Sequence, residues 1–359
     1  MLETLPQRNE LEVSIFGPGV GECIVLHVGQ GKWIVVDSCI DKSTSEPVAL
    51  KYLRLLGVDV ASSVVAVLVT HWHDDHTAGA SEVLEACTAA RFFCSAGMNN
   101  TEFFQLVSST SQLQLSKGGS GVDEMAKVFA VLKSRQSLKA GRTISPEYAS
   151  ATINVYRTAA IGSDAASSVE ALSPSSTSVT RGLLSSVRSL GGPKLKQPNP
   201  GPNELSVALH VQLGGVAALL GADLENGTST SVGWQAVVTG NRFPSQQAQI
   251  VKVAHHGSEE SDHPPVWQKL VALNPHSGVT SFTSSRLPQP SQVDSLRRRS
   301  AVLAHTSPGK PRSVKFDKAT ERTLAGIAIR ERYAPMGHIR FRGSSQDITT
   351  ETFGPAKIL

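Results

Sequence analysis

The sequence predicts an α/β protein in which two β-sheets pack against each other with helices on the outside. Two observations lead there. Strand-like and helix-like segments alternate over the first hundred residues and again from about residue 204. Each of these stretches is strand-rich and helix-flanked, and a sheet with one apolar face needs a second layer to cover it. With 359 residues, 40% of them hydrophobic, the chain can bury a substantial core.

The elements follow in order. LEVSIFG and CIVLHVGQGKWIVVDSC read as strands, the second stretch being a hairpin split at Gly29 to Gly31. PVALKYLRLLG has helical spacing and stops at Gly57, a residue suited to a helix C-terminus. SSVVAVLVT is a buried strand and ASEVLEACTAA a helix. Between about 108 and 200 Ser, Gly and Thr become frequent, broken by the helical VDEMAKVFAVLKSR and the strand ATINVYR. This region is expected to be a partly flexible insertion or lid. ELSVALHVQLGGVAALLGADLE is two strands about a Gly-Gly turn, SVGWQAVVTG a short helix, and AQIVKVAHHGS a strand running into a loop. PPVWQKLVALN is read as a helix opened by proline. VDSLRRRSAVLA is helix-like and basic, and a terminal strand pair lies near IAIRERYAPMGHIRFRG. The whole is expected to be a single domain over 1–359 with a basic C-terminal extension at about 306–359.

Composition narrows the function classes. The formal charge of +4 is compatible with an anionic substrate without requiring one. Cys23, Cys39, Cys87 and Cys94 form no CxxC pair, so neither a thiolate zinc site nor a disulfide framework is expected. The N-terminal MLETLPQRNELEVSIFG has no signal-peptide core, and no run reaches the ~18 apolar residues of a membrane span. A cytoplasmic protein without membrane association is expected.

The chemistry sits in VVAVLVTHWHDDHTAGA, residues 64–80. His71 and His73 share a direction on an extended segment, because side chains there alternate. Asp75 and His76 are adjacent and face together only if the chain turns, as TAGA permits. The spacing suits two neighbouring metal positions, with His71 and His73 at one and Asp75 and His76 at the other. Imidazole with carboxylate suits Zn, Fe or Mn. The alternative is a solvated His-rich loop. Two further strand ends carry ligand types: Asp223 in AALLGADLE, where a carboxylate could bridge both metals, and His255 and His256 in IVKVAHHGSEESD. Lys252 shares strand parity with Ile250 and Ala254; it is either buried near the site to meet an anion or an edge-strand lysine.

HWHDDH matches HxHxDH, and the order Asp37, HxHxDH, Asp223, HHGS resembles the metallo-β-lactamase-fold hydrolases. NELSVAL, LLGADLE and VKVAHHGS look like the soluble hydrolase domain of bacterial DNA-uptake channel proteins, the ComEC-like branch; teichoic-acid phosphorylcholine esterases lie nearby. The resemblance covers roughly residues 11–110 and 150–305. It implies a four-layer αββα sandwich of two mixed sheets and two divalent ions, Zn first and Mn as the alternative. The implied ligands are His71, His73, Asp75, His76, Asp223 and one or both of His255 and His256. Asp37 would support the ligand loop from behind. Twenty residues before Asp223, where most members carry a further metal-binding histidine, this chain has Asn203. His210, the nearest histidine, reads as a structural mid-strand residue.

The expected function is metal-dependent hydrolysis of a phosphodiester, nucleic acid included, with basic groups in LRRRS, SPGKPRSVK and RERYAPMGHIRFRG meeting the anion. Asp75 and Asp223 would hold the ions and the attacking hydroxide, with His255 or His263 protonating the leaving group. The alternatives are hydrolysis of another ester, a lactam or a peptide, since the fold hosts all of these, and a metal-binding interaction module acting beside a partner protein.

Overall fold

The structure, a computed structural model, describes residues 4–99, 121–138, 145–189, 201–240, 243–307, 336–344 and 347–359. The strands formed by these residues are β1 (Leu11–Gly17), β2 (Cys23–His27), β3 (Trp33–Val36), β4 (Ile40–Asp41), β5 (Glu46–Pro47), β6 (Val64–Val69), β7 (Arg91–Ser95), β8 (Glu147–Ala149), β9 (Asn154–Thr158), β10 (Ser167–Ala171), β11 (Leu209–Leu213), β12 (Val216–Leu220), β13 (Ala248–Lys252), β14 (Val271–Val279), β15 (Val302–His305), β16 (Gly337–Gly343), β17 (Ile348–Phe353) and β18 (Lys357–Ile358). Among the described residues they build two eight-stranded sheets, ordered β17-β16-β1-β2-β3-β6-β7-β8 and β18-β15-β14-β13-β12-β11-β10-β9, with β4 and β5 as a small separate pair. Both sheets are mixed: β3-β6-β7-β8 run parallel, as do β12-β13-β14-β15, and antiparallel strands complete each.

Three apolar layers hold the sandwich. Alternate residues of each strand go to opposite faces. In β1, Leu11, Val13 and Ile15 enter the seam between the sheets, where they join Leu26, Ile34 and Leu68 of the first sheet and Leu209, Val211, Leu220 and Ile250 of the second. The other parity of β3 and β6, Trp33, Val35, Val67 and Val69, faces outward against helix residues Val48, Leu53, Val83, Met125 and Val128. The outer face of the second sheet is closed by Trp234, Val238, Val266 and Leu296. The layer order is helix, sheet, sheet, helix, as expected.

The expected boundaries change in three places. The helix read over 264–274 ends at Lys269, and Val271 opens β14. Pro275 is tolerated inside that strand because β13 and β14 lose register there, Ala248 facing Val271 and Ile250 facing His276. The second half of VDSLRRRSAVLA likewise leaves the helix Pro290–Arg299 to become β15. The described parts of 108–200 are no lid: β8 edges the first sheet, β9 and β10 extend the second, and the helix Gly121–Leu138 packs on the helix Ala80–Ala86. Residues 100–120, 139–144 and 190–200 lie outside the described residues.

The described part of the C-terminal segment is not an extension either. β16 pairs with β1 inside the first sheet. Arg340 is buried against Glu351, and Arg342 against Glu12. Residues 308–335, with most of the remaining basic groups, lie outside the described residues. Among the described residues, no helix is long and apolar enough to cross a membrane.

Three outcomes follow from this packing. Leu209 is fully buried in the seam, so Leu209→Ala should lower the unfolding free energy by about 2–5 kcal/mol in urea titrations. Leu273→Ala, at a side chain 95% exposed, should stay within about 0.5 kcal/mol. His305 is pushed down to about 4, chiefly by burial and then by Lys357. The unfolded chain therefore takes up this proton first as the pH falls from about 6.5, and stability present at neutral pH is lost between there and about 4. His305→Gln should flatten that part of a stability–pH curve measured by thermal melting.

Candidate metal centre

Four strand ends converge at one edge of the sandwich, and three of them, those of β3, β12 and β13, deliver their side chains through left-handed residues. Asp37 follows β3 with φ 58°. Its amide donates to the Leu68 carbonyl at 2.8 Å, which locks it beside the end of β6. There its Oδ1 accepts from the Thr70 amide at 2.7 Å and its Oδ2 from the Thr70 hydroxyl at 2.8 Å. The same Oδ2 lies 2.8 Å from His76 Nδ1. Asp37 therefore holds the His76 ring from behind.

After β6 the chain passes through His71 and His73 and turns into the short helix Asp74–Thr77. His71 Nε2 and His73 Nδ1 come within 3.0 Å of each other, as two ligands of one cation would. Asp75 and His76 face together because of the helical turn, Asp75 Oδ2 lying 3.6 Å from His76 Nε2.

The second sheet supplies the rest. Gly221 follows β12, and a Cβ there would lie 2.7–2.9 Å from Ala254. Only glycine lets the ends of β12 and β13 approach this closely. Ala222, at φ 45°, then turns Asp223 into the cluster, where the Asp223 amide donates to Ser206 Oγ at 3.1 Å. Asp223 Oδ2 sits at the centre of the cluster: His76 Nε2 is at 3.4 Å, His256 Nε2 at 3.6 Å, His71 Nε2 at 3.9 Å and His255 Nε2 at 4.0 Å.

His255 and His256 are both left-handed, at φ 47° and 52°, and this backbone lets two adjacent imidazoles face one site. They sit at different depths. His256 is buried, with Nε2 3.4 Å from Asp75 Oδ2 and its ring stacked on Phe282. His255 lies at the mouth, its side chain 18% exposed. Its Nε2 is 3.3 Å from Asn203 Nδ2, and its Nδ1 is 3.3 Å from Ser261 Oγ. Asn203 also donates to Glu225 Oε1 at 2.9 Å.

The electrostatics are those of a cage built for positive charge. Burial opposes a charge on His76, yet Asp223, Asp75 and Asp37 together raise its pKa well above the ordinary range. Burial works against the Asp223 carboxylate, and His76 and His256 outweigh it, holding the group well below its usual range. Burial pushes His71 and His73 down, leaving neutral, metal-competent imidazoles. His76 Nε2, His256 Nε2 and Asp223 Oδ1 are buried with no hydrogen-bond partner. Buried polar atoms are normally paired, and two orphaned imidazole nitrogens beside one carboxylate, 3.4 and 3.6 Å from Asp223 Oδ2, fit a divalent cation. His71, His76 and Asp223 form one group with ligand-to-ligand spacing; Asp75, His76 and His256 form another.

Other residues fall elsewhere. Lys252 is on interior strand β13, so the edge-strand reading fails. It is fully buried, with Nζ 2.6 Å from Glu22. His210 lies mid-strand and bonds the Gln246 carbonyl. His263 pairs with Gln235 at 2.6 Å. Sequence reasoning missed Glu22, Thr70 and Thr280. Glu22 had a signal: a lone acid directly between a glycine-rich turn and the apolar run CIVLHV.

Comparison with known proteins agrees with this architecture. Residues 16–123 match the sequence profile of the Metallo-beta-lactamase superfamily. No curated protein matches the chain. Among solved structures, the metallo-beta-lactamase fold protein YhfI from Bacillus subtilis is similar at 11% identity, over 67% of this chain and 70% of that one, with a TM-score of 0.32. A motif mutant of a metallo-beta-lactamase from Cronobacter sakazakii is similar at 16% identity, over 68% and 77%, with a TM-score of 0.34. The class B3 di-zinc metallo-beta-lactamase LRA-12 from an Alaskan soil metagenome is similar at 11% identity, over 58% and 60%, with a TM-score of 0.30. By its layers the chain has the metallo-beta-lactamase fold, and its residues 16–123 match the model of the Metallo-beta-lactamase superfamily.

Proposed function

We propose that the protein is a metal-dependent hydrolase that cleaves phosphodiesters with two divalent cations, zinc first and manganese as the alternative. The observation that carries the hydrolase reading is that His76 Nε2 and His256 Nε2, both buried without a hydrogen-bond partner, lie 3.4 and 3.6 Å from the same Asp223 Oδ2. His71 and His73 would hold one cation and Asp75, His76 and His256 the other, with Asp223 between them. When bound, such a cation pair polarises the scissile group and makes water a competent nucleophile near neutral pH.

The chain's own residues supply the remaining steps. His255 is at the mouth, where its Nε2 accepts from the Asn203 amide at 3.3 Å; released from that contact and protonated, it would be placed to hand a proton to a departing oxygen. Asn203 orients that ring from the side. The diester reading is supported by the resemblance of NELSVAL, LLGADLE and VKVAHHGS to the ComEC-like branch. Nucleic acid is one such diester. Its electrostatic support is now thinner, since Arg340 and Arg342 are buried in ion pairs and Arg299 is tied to Asp262.

Protein loaded with Zn2+ or Mn2+ should hydrolyse bis-p-nitrophenyl phosphate, lose the activity to chelator, and lose more than about 100-fold in Asp223→Asn. Equal turnover by that variant, or cleavage of p-nitrophenyl acetate or a chromogenic lactam in place of every diester, overturns the diester reading. His255→Ala should slow a diester with a poor alkoxide leaving group by about 10²–10⁴. With p-nitrophenolate, which departs without a proton, the same variant should be slowed far less.

A further inference from the structure

We infer that Glu22 and Thr280, with Lys252, form a buried positioning relay that fixes which ring nitrogen of His256 is turned to the cation site. The inference rests on the metal-centre reading but concerns groups that reading does not use. Glu22, Thr280 and Lys252 are each 0% exposed. Thr280 Oγ1 donates to Glu22 Oε2 at 2.6 Å, and His256 Nδ1 lies 2.9 Å from the same hydroxyl. A threonine hydroxyl has one proton to give. With that proton committed to the carboxylate, the oxygen can only accept from His256, so Nδ1 carries the ring proton and Nε2 keeps its lone pair. Nε2 is the atom that faces Asp75 and Asp223 at 3.4 and 3.6 Å.

The relay does at two removes what Asp37 does directly for His76. Glu22 Oε2 is 3.9 Å from His256 Nδ1, too far for a hydrogen bond, and the Thr280 hydroxyl closes the gap. Lys252 completes the arrangement. Its ammonium lies 2.6 Å from Glu22 Oε2 and donates to the Ala222 carbonyl at 3.1 Å. One cation thus fixes the carboxylate that orders His256 and the turn that presents Asp223. The backbone shows why Glu22 can be there: Gly21 is at φ +109°, with its Cβ position only 3.0 Å from Cys39, and the Glu22 amide donates to the Asp75 carbonyl at 2.8 Å. A mere stabilising ion pair would have no need to point a hydroxyl proton away from a histidine.

The experiment combines 15N spectra of the histidine rings in metal-free protein with chelator-competition titrations of Zn2+. Wild type should show His256 protonated at Nδ1, and Thr280→Ser should keep both that state and the affinity. Thr280→Val has nearly the same shape without the hydroxyl; it should lose the tautomer preference and weaken one cation about 10–100-fold. Glu22→Gln presents an amide that can donate to Thr280, turning the hydroxyl proton to His256 and moving the ring proton to Nε2. Unchanged spectra in Thr280→Val and Glu22→Gln, or a Thr280→Val affinity within about twofold of wild type, overturn the relay. If wild type takes up no metal, the proposed function fails, and the ring spectra still decide the relay alone.

Discussion

A buried imidazole can offer only one ring nitrogen to a site, and which one it offers is decided by whatever holds the other. That constraint organises this molecule. Asp37 holds Nδ1 of His76, Thr280 holds Nδ1 of His256, and Thr70 touches Nδ1 of His71. In all three, Nε2 is left for the interior. The groups behind the ligands are themselves buried acids, Asp37 and Glu22. With Asp75 and Asp223 they put four carboxylates in one edge of the sandwich, against the single buried ammonium of Lys252. Burying charge without compensation is expensive, so a cluster with this surplus of carboxylates needs further positive charge. Without metal, part of it falls to His76, whose pKa its three carboxylate neighbours raise well above the ordinary value.

The backbone accepts strain at the same places. Asp37, Ala222, His255 and His256 all have φ between 45° and 58°, at about 1–3 kcal/mol for each such residue. These are the residues that turn a strand end toward the common centre, or the one directly before it in the case of Ala222. Such strain persists only where the surroundings over-determine it. Here the strand preceding each turn is locked into an apolar seam or an interior ladder: Val36 and Leu220 are in the seam, and Lys252 is registered with Leu220 on one side and Gly278 on the other. The core therefore sets the precision of the site.

How much of this was readable beforehand depended on how local the signal was. HWHDDH was legible because its spacing, 71, 73, 75 and 76, encodes its own geometry. Asp223 was legible because it ends an apolar run, and Asp37 only through the family resemblance. The division of labour between His255 and His256 was not, since it follows from two consecutive left-handed residues that no side-chain pattern announces. Thr280 was invisible because its partners, Glu22 and His256, are 258 and 24 residues away in the chain. Val271 was read into a helix because the apolar spacing of PPVWQKLVALN continues past Lys269; the pairing with β13 overrides it. The basic C-terminal groups misled for a related reason. Charge in a sequence reads as surface, whereas Arg340 and Arg342 are internal cations matched to Glu351 and Glu12.

The two cation positions of the proposed reading are unequal, and the inequality can be traced to Asn203. The inner position is bounded by His76 and His256, each ring braced through Nδ1, and by Asp75. In the proposed reading the outer one would have His71 and His73, and where the family resemblance expects a third imidazole the chain has Asn203, whose Oδ1 is buried without a partner and whose Nδ2 donates to Glu225. An amide oxygen is a harder and weaker donor than imidazole. Beside that amide, His255 Nε2 lies 4.0 Å from Asp223. In the proposed reading this histidine would serve either as a ligand or, once released from the Asn203 amide, as a proton donor. The mouth of the site, more than its braced interior, is thus where the chemistry of this chain departs from a symmetric two-ion cage.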